Sequence, residues 1–379
     1  MKKVFILISS MIISICMYTN LNGETTVDFR LFTSSYAYNG ENTRWEATRT
    51  TLTYFENFTE GDFDIKFDEL FSLRVGASVF FPFTFELPEG IRIFPIVTMQ
   101  VSNEYVAFRI GTITGGHNLP APIRDPLIDM TPAVRSTPDN TLIAKGPEGY
   151  KYNEPFTHGY YEYGISLEWF SEGGKGEAYM NWQIQHNARH RERFDVGIIH
   201  ALDFIEIWTP YIAFHYWHNG GHEYPFVVGT PAITENYVGT LGINSYYVSI
   251  LYMASFNIPD RDNNITKFGH GLFLRGTIPV LNWFEIEPIA FISGYYIDKN
   301  HQFISVEGDP FYRVPFYFGL NIKKEFKFEN GISITLALVN GLFLTEENKV
   351  GGRYDQELKF DFTYIVPVKN YSQGKNISI

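Results

Sequence analysis

The chain has 379 residues, a formal net charge of −12 and a mean hydropathy of −0.13. That acidity argues against a nucleic-acid partner and against attraction to anionic lipid surfaces. Cys16 is the only cysteine, which excludes any internal disulfide. Aromatic residues make up 17% of the chain, with 34 Phe and 25 Tyr, yet no apolar run of 18 residues occurs beyond the N-terminus. Membrane helices are therefore not expected.

The opening stretch, MKKVFILISSMIISICMYTNLNGE, reads as a secretory signal over residues 1–23. Lys2 and Lys3 supply the positive start, and Val4 to Met17 form an apolar core too short to span a bilayer comfortably. Gly23, with Leu21 two places before it, marks a cleavage point, so Cys16 leaves with the signal. An exported, cysteine-free chain suits a cell envelope where disulfides are optional.

From there the chain reads as one strand after another. In DFDIKFD, Phe63, Ile65 and Phe67 alternate with Asp62, Asp64, Lys66 and Asp68. In YVAFRIGTIT, Val106, Phe108 and Ile110 share a face. The segment 115–156 then interrupts the pattern with seven of the chain's 19 prolines and no strand or helix period. Leu119, Ile123, Leu127, Ile128 and Met130 give it apolar anchors, and Arg124, Asp125, Asp129 and Arg135 give it charges of both signs.

Alternation resumes in EYGISLEWF, where Tyr163, Ile165, Leu167 and Trp169 oppose Glu162, Gly164, Ser166 and Glu168. After the turn SEGGKG, Ala178, Met180, Trp182 and Ile184 oppose Glu177, Tyr179, Asn181, Gln183 and Gln185. This is a hairpin of strict period two. Toward the C-terminus, Val314, Phe316, Phe318, Leu320 and Ile322 alternate with Arg313, Tyr317, Gly319, Asn321 and Lys323. Leu358, Phe360, Phe362 and Tyr364 alternate with Glu357, Lys359, Asp361 and Thr363. Residues 369–379 form a polar tail.

Long alternating strands, little helical period and charged ladders on one face favour a transmembrane antiparallel β-barrel over residues 24–368. A soluble sandwich would turn the apolar face inward; a membrane barrel turns it outward and lines its interior with the polar residues. At about 22 residues per strand and connector, the chain holds about 16 strands, with 14 to 18 admissible. Tyr295, Tyr296 and Trp217 near strand ends read as interfacial girdles. ALDFIEIWTPYIAF (201–214) resembles VLNWFEIEPIAF (280–291), which puts both turns on one short-turn side and the loops near 218–236, 260–267 and 299–310 on the other.

Over nearly all of its mature length the chain resembles the bacterial outer-membrane porin-like β-barrels in architecture, without a motif that selects a subfamily. The resemblance implies outer-membrane lipid as surroundings, insertion by the barrel-assembly machinery, and passive passage of small hydrophilic solutes. That family often ends on an aromatic strand terminus, whereas here KNYSQGKNISI follows the last strand. The Pro-rich segment is expected to fold into the lumen as a constriction, with Arg124, Asp125, Asp129 and Arg135 setting a transverse field. An external lid or adhesive loop is the alternative for that segment. Asp62, Asp64, Lys66, Asp68, Glu162, Glu168, Glu177, Arg313, Lys323 and Lys359 are expected to line the lumen, with a mild preference for cations.

Other chemistry finds little support. His215, His218, His222 and Glu223 are a weak metal candidate, since neighbouring strand positions of opposite parity do not converge. QHNARHRERF, with His186, Arg189, His190, Arg191 and Arg193, reads as a solvated turn, or else as a contact for lipopolysaccharide phosphates. His270 has no serine at hydrolase spacing, and the Glu285/Glu287 pair is what any polar strand face produces. No glycine-rich phosphate loop opens a helix. No enzymatic activity and no cofactor are expected. A non-channel surface barrel and an exported carbohydrate-binding β protein are the alternative functions.

Overall fold

Alternating strands joined by short turns build hairpins, and hairpins joined edge to edge build a meander. In a computed structural model the meander closes on itself. The structure describes residues 25–42, 52–67, 69–82, 91–114, 161–184, 192–202, 208–220, 234–245, 247–261, 265–281, 283–294, 316–328, 332–345 and 351–371. Its strands are β1 (Thr25–Asn42), β2 (Leu52–Lys66), β3 (Phe71–Pro82), β4 (Arg92–Ser102), β5 (Val106–Thr114), β6 (Tyr161–Ser171), β7 (Gly174–Ile184), β8 (Glu192–Leu202), β9 (Thr209–Gly220), β10 (Thr234–Asn244), β11 (Val248–Asp260), β12 (Ile265–Gly276), β13 (Ile278–Val280), β14 (Phe284–Gly294), β15 (Phe316–Lys327), β16 (Ile332–Thr345) and β17 (Gly351–Tyr371). Apart from β12 and β13, every strand pairs antiparallel with its neighbours in sequence, and β1 pairs with both β2 and β17. β12 and β13 both pair with β14 and form one stave interrupted at Thr277, so the wall is a closed barrel of 16 strands.

The two rims differ. At one rim tight turns close the hairpins: the Phe67 N–H donates to Phe71 O at 3.0 Å, Asn103 to Val106 O at 2.8 Å, and Ser245 to Val248 O at 2.8 Å. Trp283 donates to Val280 O at 2.8 Å there, beside Leu281 in a left-handed conformation (φ 49°). The connection between β8 and β9 falls at this same rim, as the likeness of 201–214 to 280–291 predicts. Thr25 and Tyr371, which are register partners, also lie here, so β17 runs three residues past 368, where the alternation fades. The strand ends at the opposite rim flank the segments 43–51, 83–90, 115–160, 185–191, 221–233, 262–264, 295–315 and 346–350, which lie outside the described residues.

The wall is inverted relative to a soluble β protein. Its exposed positions are large and apolar, including Phe63 (45%), Ile93 (68%), Leu241 (64%) and Leu358 (57%). The residues between them point inside the closed wall, where Asp62 is 1% exposed and Asp195 is fully covered. Two aromatic belts mark the rims of the outer face. Tyr105, Trp169, Trp208, Tyr247 and Trp283 stand near the short-turn rim. Trp182, Phe194, Tyr216, Tyr237 and Phe256 form a chain of ring contacts, each within 6.3 Å of the next, near the other.

One outer patch departs from this pattern. Thr33 and Ser35 on β1 and Asn57 and Thr59 on β2 face outward among apolar neighbours. They satisfy one another: Asn57 Nδ2 donates to Thr33 Oγ1 (3.0 Å) and Ser35 Oγ (2.7 Å), and Thr59 Oγ1 donates to Asn57 Oδ1 (2.9 Å). Hydrogen bonds closed within the patch remove most of the cost of polar groups on an apolar face.

The alternation breaks once on β6. Tyr163 packs against the inward residues Phe58 and Ile96, although its period predicts that it shares a face with Ile165, which is 41% exposed. The reason is a local kink at Gly164 and its register partner Gly111, which has φ 117°. A side chain at Gly111 would meet Val97 O at 2.1 Å, and one at Gly164 would meet Met180 O at 1.8 Å. Only glycine tolerates both the conformation and the approach.

Candidate functional site: the inner wall

On β1–β3 the inner wall carries a compact ion lattice. Arg74 grips Asp62 with a fork, Nε to Oδ1 at 2.8 Å and Nη2 to Oδ2 at 2.9 Å, and its Nη2 also donates to Glu60. Arg30 stands behind them, its Nε 3.8 Å from Asp62 Oδ1. The lattice fits because Gly76 is the register partner of Asp62: a Cβ there would fall 2.4 Å from that of Asp62. Paired forks of this kind let carboxylates stay charged although largely covered.

On β4–β6 a second group repeats the theme. Arg109 donates from Nε to Gln100 Oε1 at 2.7 Å and from Nη2 to Glu168 Oε2 at 3.1 Å, with Nη1 also on Glu168. Glu168 is register partner to Glu177, the next inner carboxylate. On β7–β9 Asn181 Nδ2 donates to Asp195 Oδ1 at 2.9 Å, and His215 Nε2 lies 3.3 Å from Asp195 Oδ2. On β10–β12 Arg275 donates to Ser249 Oγ at 3.2 Å. On β14–β15 the register sets Glu285 against Lys323 and Glu287 against Asn321.

From β7 to β15 these polar groups are interleaved with apolar ones. Tyr179, Val238, Met253, Phe273, Phe291 and Tyr317 belong to one buried cluster on the inner face. Three of the rings lie flat on the wall because glycines leave room beneath them. A Cβ at Gly197 would meet Tyr179 Cε1 at 2.2 Å, one at Gly271 would meet Phe291 Cζ at 2.5 Å, and one at Gly319 would meet the Tyr317 hydroxyl at 2.6 Å.

The expected lining residues fall as follows. Asp62, Asp64, Lys66, Glu168, Glu177 and Lys323 occupy inner positions. Glu162 and Lys359 lie within β6 and β17. Asp68, Arg313 and the constriction charges Arg124, Asp125, Asp129 and Arg135 lie outside the described residues, as do Tyr295 and Tyr296 and residues 185–191 of the basic turn. Trp217 corrects the girdle reading: it is register partner to the inward Asp195 and faces inside, and the outward ring is its neighbour Tyr216.

His215 and His218 point to opposite sides of the wall. His215 reaches Asp195 inside; His218 stacks on Phe194 outside (ring centroids 5.0 Å) with Nδ1 3.5 Å from Glu235. His222 and Glu223 lie outside the described residues, and no group of three metal-ligating side chains occurs among the described ones. Glu235 also accepts from Arg261 (2.9 Å) and Tyr237 (3.2 Å), closing a polar knot within the outer aromatic belt. His270 faces outward beside Tyr252.

The basic halves of the ion groups, Arg30, Arg74 and Arg109, escape a reading based on acidic ladders. Their signal is phase: Arg74 falls in step with Ser72, Gly76 and Ser78, small and polar like an inner face.

No protein-family model matches the chain, and no curated protein matches it by sequence. Solved structures do match its fold. Salmonella typhi OmpF, in its complex with daunomycin, superposes with a TM-score of 0.50 at 9% identity, over 88% of this chain and 97% of that one. The anion-selective porin from Comamonas acidovorans superposes with a TM-score of 0.50 at 10% identity, over 90% of this chain and all of that one. At these identities the likeness shows the fold: the chain has the closed barrel of outer-membrane porins.

Proposed function

We propose that the protein is a bacterial outer-membrane channel for passive passage of small hydrophilic solutes. The observation that carries this reading is the inversion of the wall. Phe63 faces out at 45% exposure while its neighbour Asp62 faces in at 1%, and the same exchange repeats around the barrel. Each large apolar side chain left in water forgoes about 2 kcal/mol, so such a face suits hydrocarbon, and a charged inner face suits water. A 16-stranded wall is wide enough for an aqueous path, where an eight-stranded one would be filled by side chains. The barrel-assembly machinery inserts it, the signal at residues 1–23 exports it, and the Pro-rich segment 115–156 narrows the path. The channel performs no chemistry on what it passes.

Liposome swelling with sugars of graded size tests the reading. Swelling that slows with solute size supports a channel. Folded, heat-modifiable protein that leaves liposomes impermeable to the smallest sugar points to a non-channel surface barrel instead. Protein that remains in the soluble fraction points to an exported binding protein.

A further inference from the structure

Three arginines of the inner wall are already neutralised. Arg30, Arg74 and Arg109 each lie within 4.0 Å of a carboxylate, and so does Arg261 near the outer aromatic belt. Among the described residues Arg275 departs from this pattern. Its Nη2 donates to Ser249 Oγ at 3.2 Å, and no carboxylate comes within ion-pair range of it. Ser249 is 2% exposed and donates in turn to Asn244 Oδ1. A chain of neutral groups thus holds the guanidinium in place without cancelling its charge.

Glu287 is the counterpart on the neighbouring strand. It makes no ion pair and no side-chain hydrogen bond among the described residues, and its register partner on β15 is the neutral Asn321. Register also fixes where it stands. Arg275 on β12 pairs with Ile289 on β14, and Glu287 lies two residues from Ile289 on the same inner face. Diagonal neighbours of this kind are about 7 Å apart. Both Arg275 and Glu287 are partly exposed, and both face the interior of the barrel. Glu285 and Lys323 form the next register pair toward the short-turn rim.

The two charges are opposite, adjacent and too far apart to pair with each other. A solute that carries a carboxylate and an ammonium on one carbon fits between them. Its carboxylate accepts from the guanidinium N–H groups that Ser249 leaves open, and its ammonium donates to Glu287. A simple anion at the same place meets the charge of Glu287, and a simple cation meets that of Arg275. A zwitterion also has no net charge to be repelled by a chain of −12. We propose that Arg275 and Glu287 form a binding site for zwitterionic solutes of the α-amino-acid class. The inference rests on the channel reading, within which it names a preferred class of solute.

L-Alanine is a suitable probe; propionate lacks its ammonium and ethylamine lacks its carboxylate. Full-length folded protein in detergent micelles is dialysed to equilibrium against each labelled solute, and the same protein is reconstituted in liposomes. Saturable binding of alanine is the expected result, with propionate and ethylamine each about tenfold weaker. Arg275→Gln and Glu287→Gln should each weaken alanine about tenfold. They should also change the preference in opposite ways. Glu287→Gln binds propionate as well as alanine, and Arg275→Gln binds ethylamine as well as alanine. Heat-modifiable gel mobility shows that each variant is folded.

Three outcomes overturn the inference: no saturable binding of alanine, equal binding of propionate or ethylamine by the unaltered protein, or undiminished alanine binding by either folded variant. Undiminished binding by Arg275→Gln would move the carboxylate contact elsewhere, to Lys323 first. Sugar-induced swelling without alanine binding leaves the channel reading standing and removes this one. Alanine binding in micelles with liposomes impermeable to the smallest sugar supports the site and removes the channel.

Discussion

Arg74 is the residue on which the β1–β3 lattice turns, since it reaches both Asp62 and Glu60. Truncating one partner of a covered ion group leaves the others uncompensated, which is worse than never having had the group. Arg74→Ala should cost about 3 kcal/mol in urea unfolding from micelles, and Asp62→Asn in the same chain should recover part of it. The outward quartet obeys the same asymmetry with neutral groups. Asn57→Leu strands the Ser35 hydroxyl on an apolar face and leaves the hydroxyls of Thr33 and Thr59, 2.8 Å apart, without their amide partner, and should lower stability by about 1–2 kcal/mol. The quadruple replacement Thr33→Val, Ser35→Ala, Asn57→Leu and Thr59→Val removes every one of these polar groups at once. It should return stability to the starting value or above it in the same unfolding experiment.

Strands act through what neighbouring strands leave open. Tyr179 on β7 lies flat because β8 offers Gly197 beneath it. Gly197→Leu should drive the ring off the wall toward the interior, and single-channel conductance in planar bilayers should fall while the barrel still folds. This scale also separates what a sequence can disclose from what it cannot. The alternation of Phe316, Phe318 and Leu320 with Tyr317 and Gly319 states plainly that the strand has two unlike faces, and the structure exposes Phe318 and buries Tyr317. Period two does not disclose a change of phase. The kink at Gly111 and Gly164, which turns Tyr163 inward, depends on two glycines brought together from either side of a long insert. The preference of tryptophan for an interface points Trp217 outward, but its place is fixed by parity with His215. The apolar sector around Val238 and Met253 was equally hidden, because its members come from different strands and meet only through register.

For the whole molecule, the inner carboxylates of β1–β8 outnumber the basic groups there among the described residues, in keeping with the net charge of −12. Under a salt gradient the reversal potential should therefore take the sign of a mild cation preference, shrinking as ionic strength rises; an anionic sign refutes it. Deleting Pro120 to Pro138 should raise single-channel conductance, and an unchanged value would place that segment away from the path. The closure of the wall bears on time as well as on shape. β1 finds one partner in β2 nearby and the other in β17, with Thr25 against Tyr371 and Asn42 against Arg353. Pairings of such sequence separation form slowly, because a long loop must close before any bond rewards it. The seam cannot be completed until nearly the whole chain has been synthesised. Throughout that interval β1 keeps one edge open and the outward phenylalanines have no wall to belong to. The nascent chain must therefore be held apart from its copies until its last strand arrives.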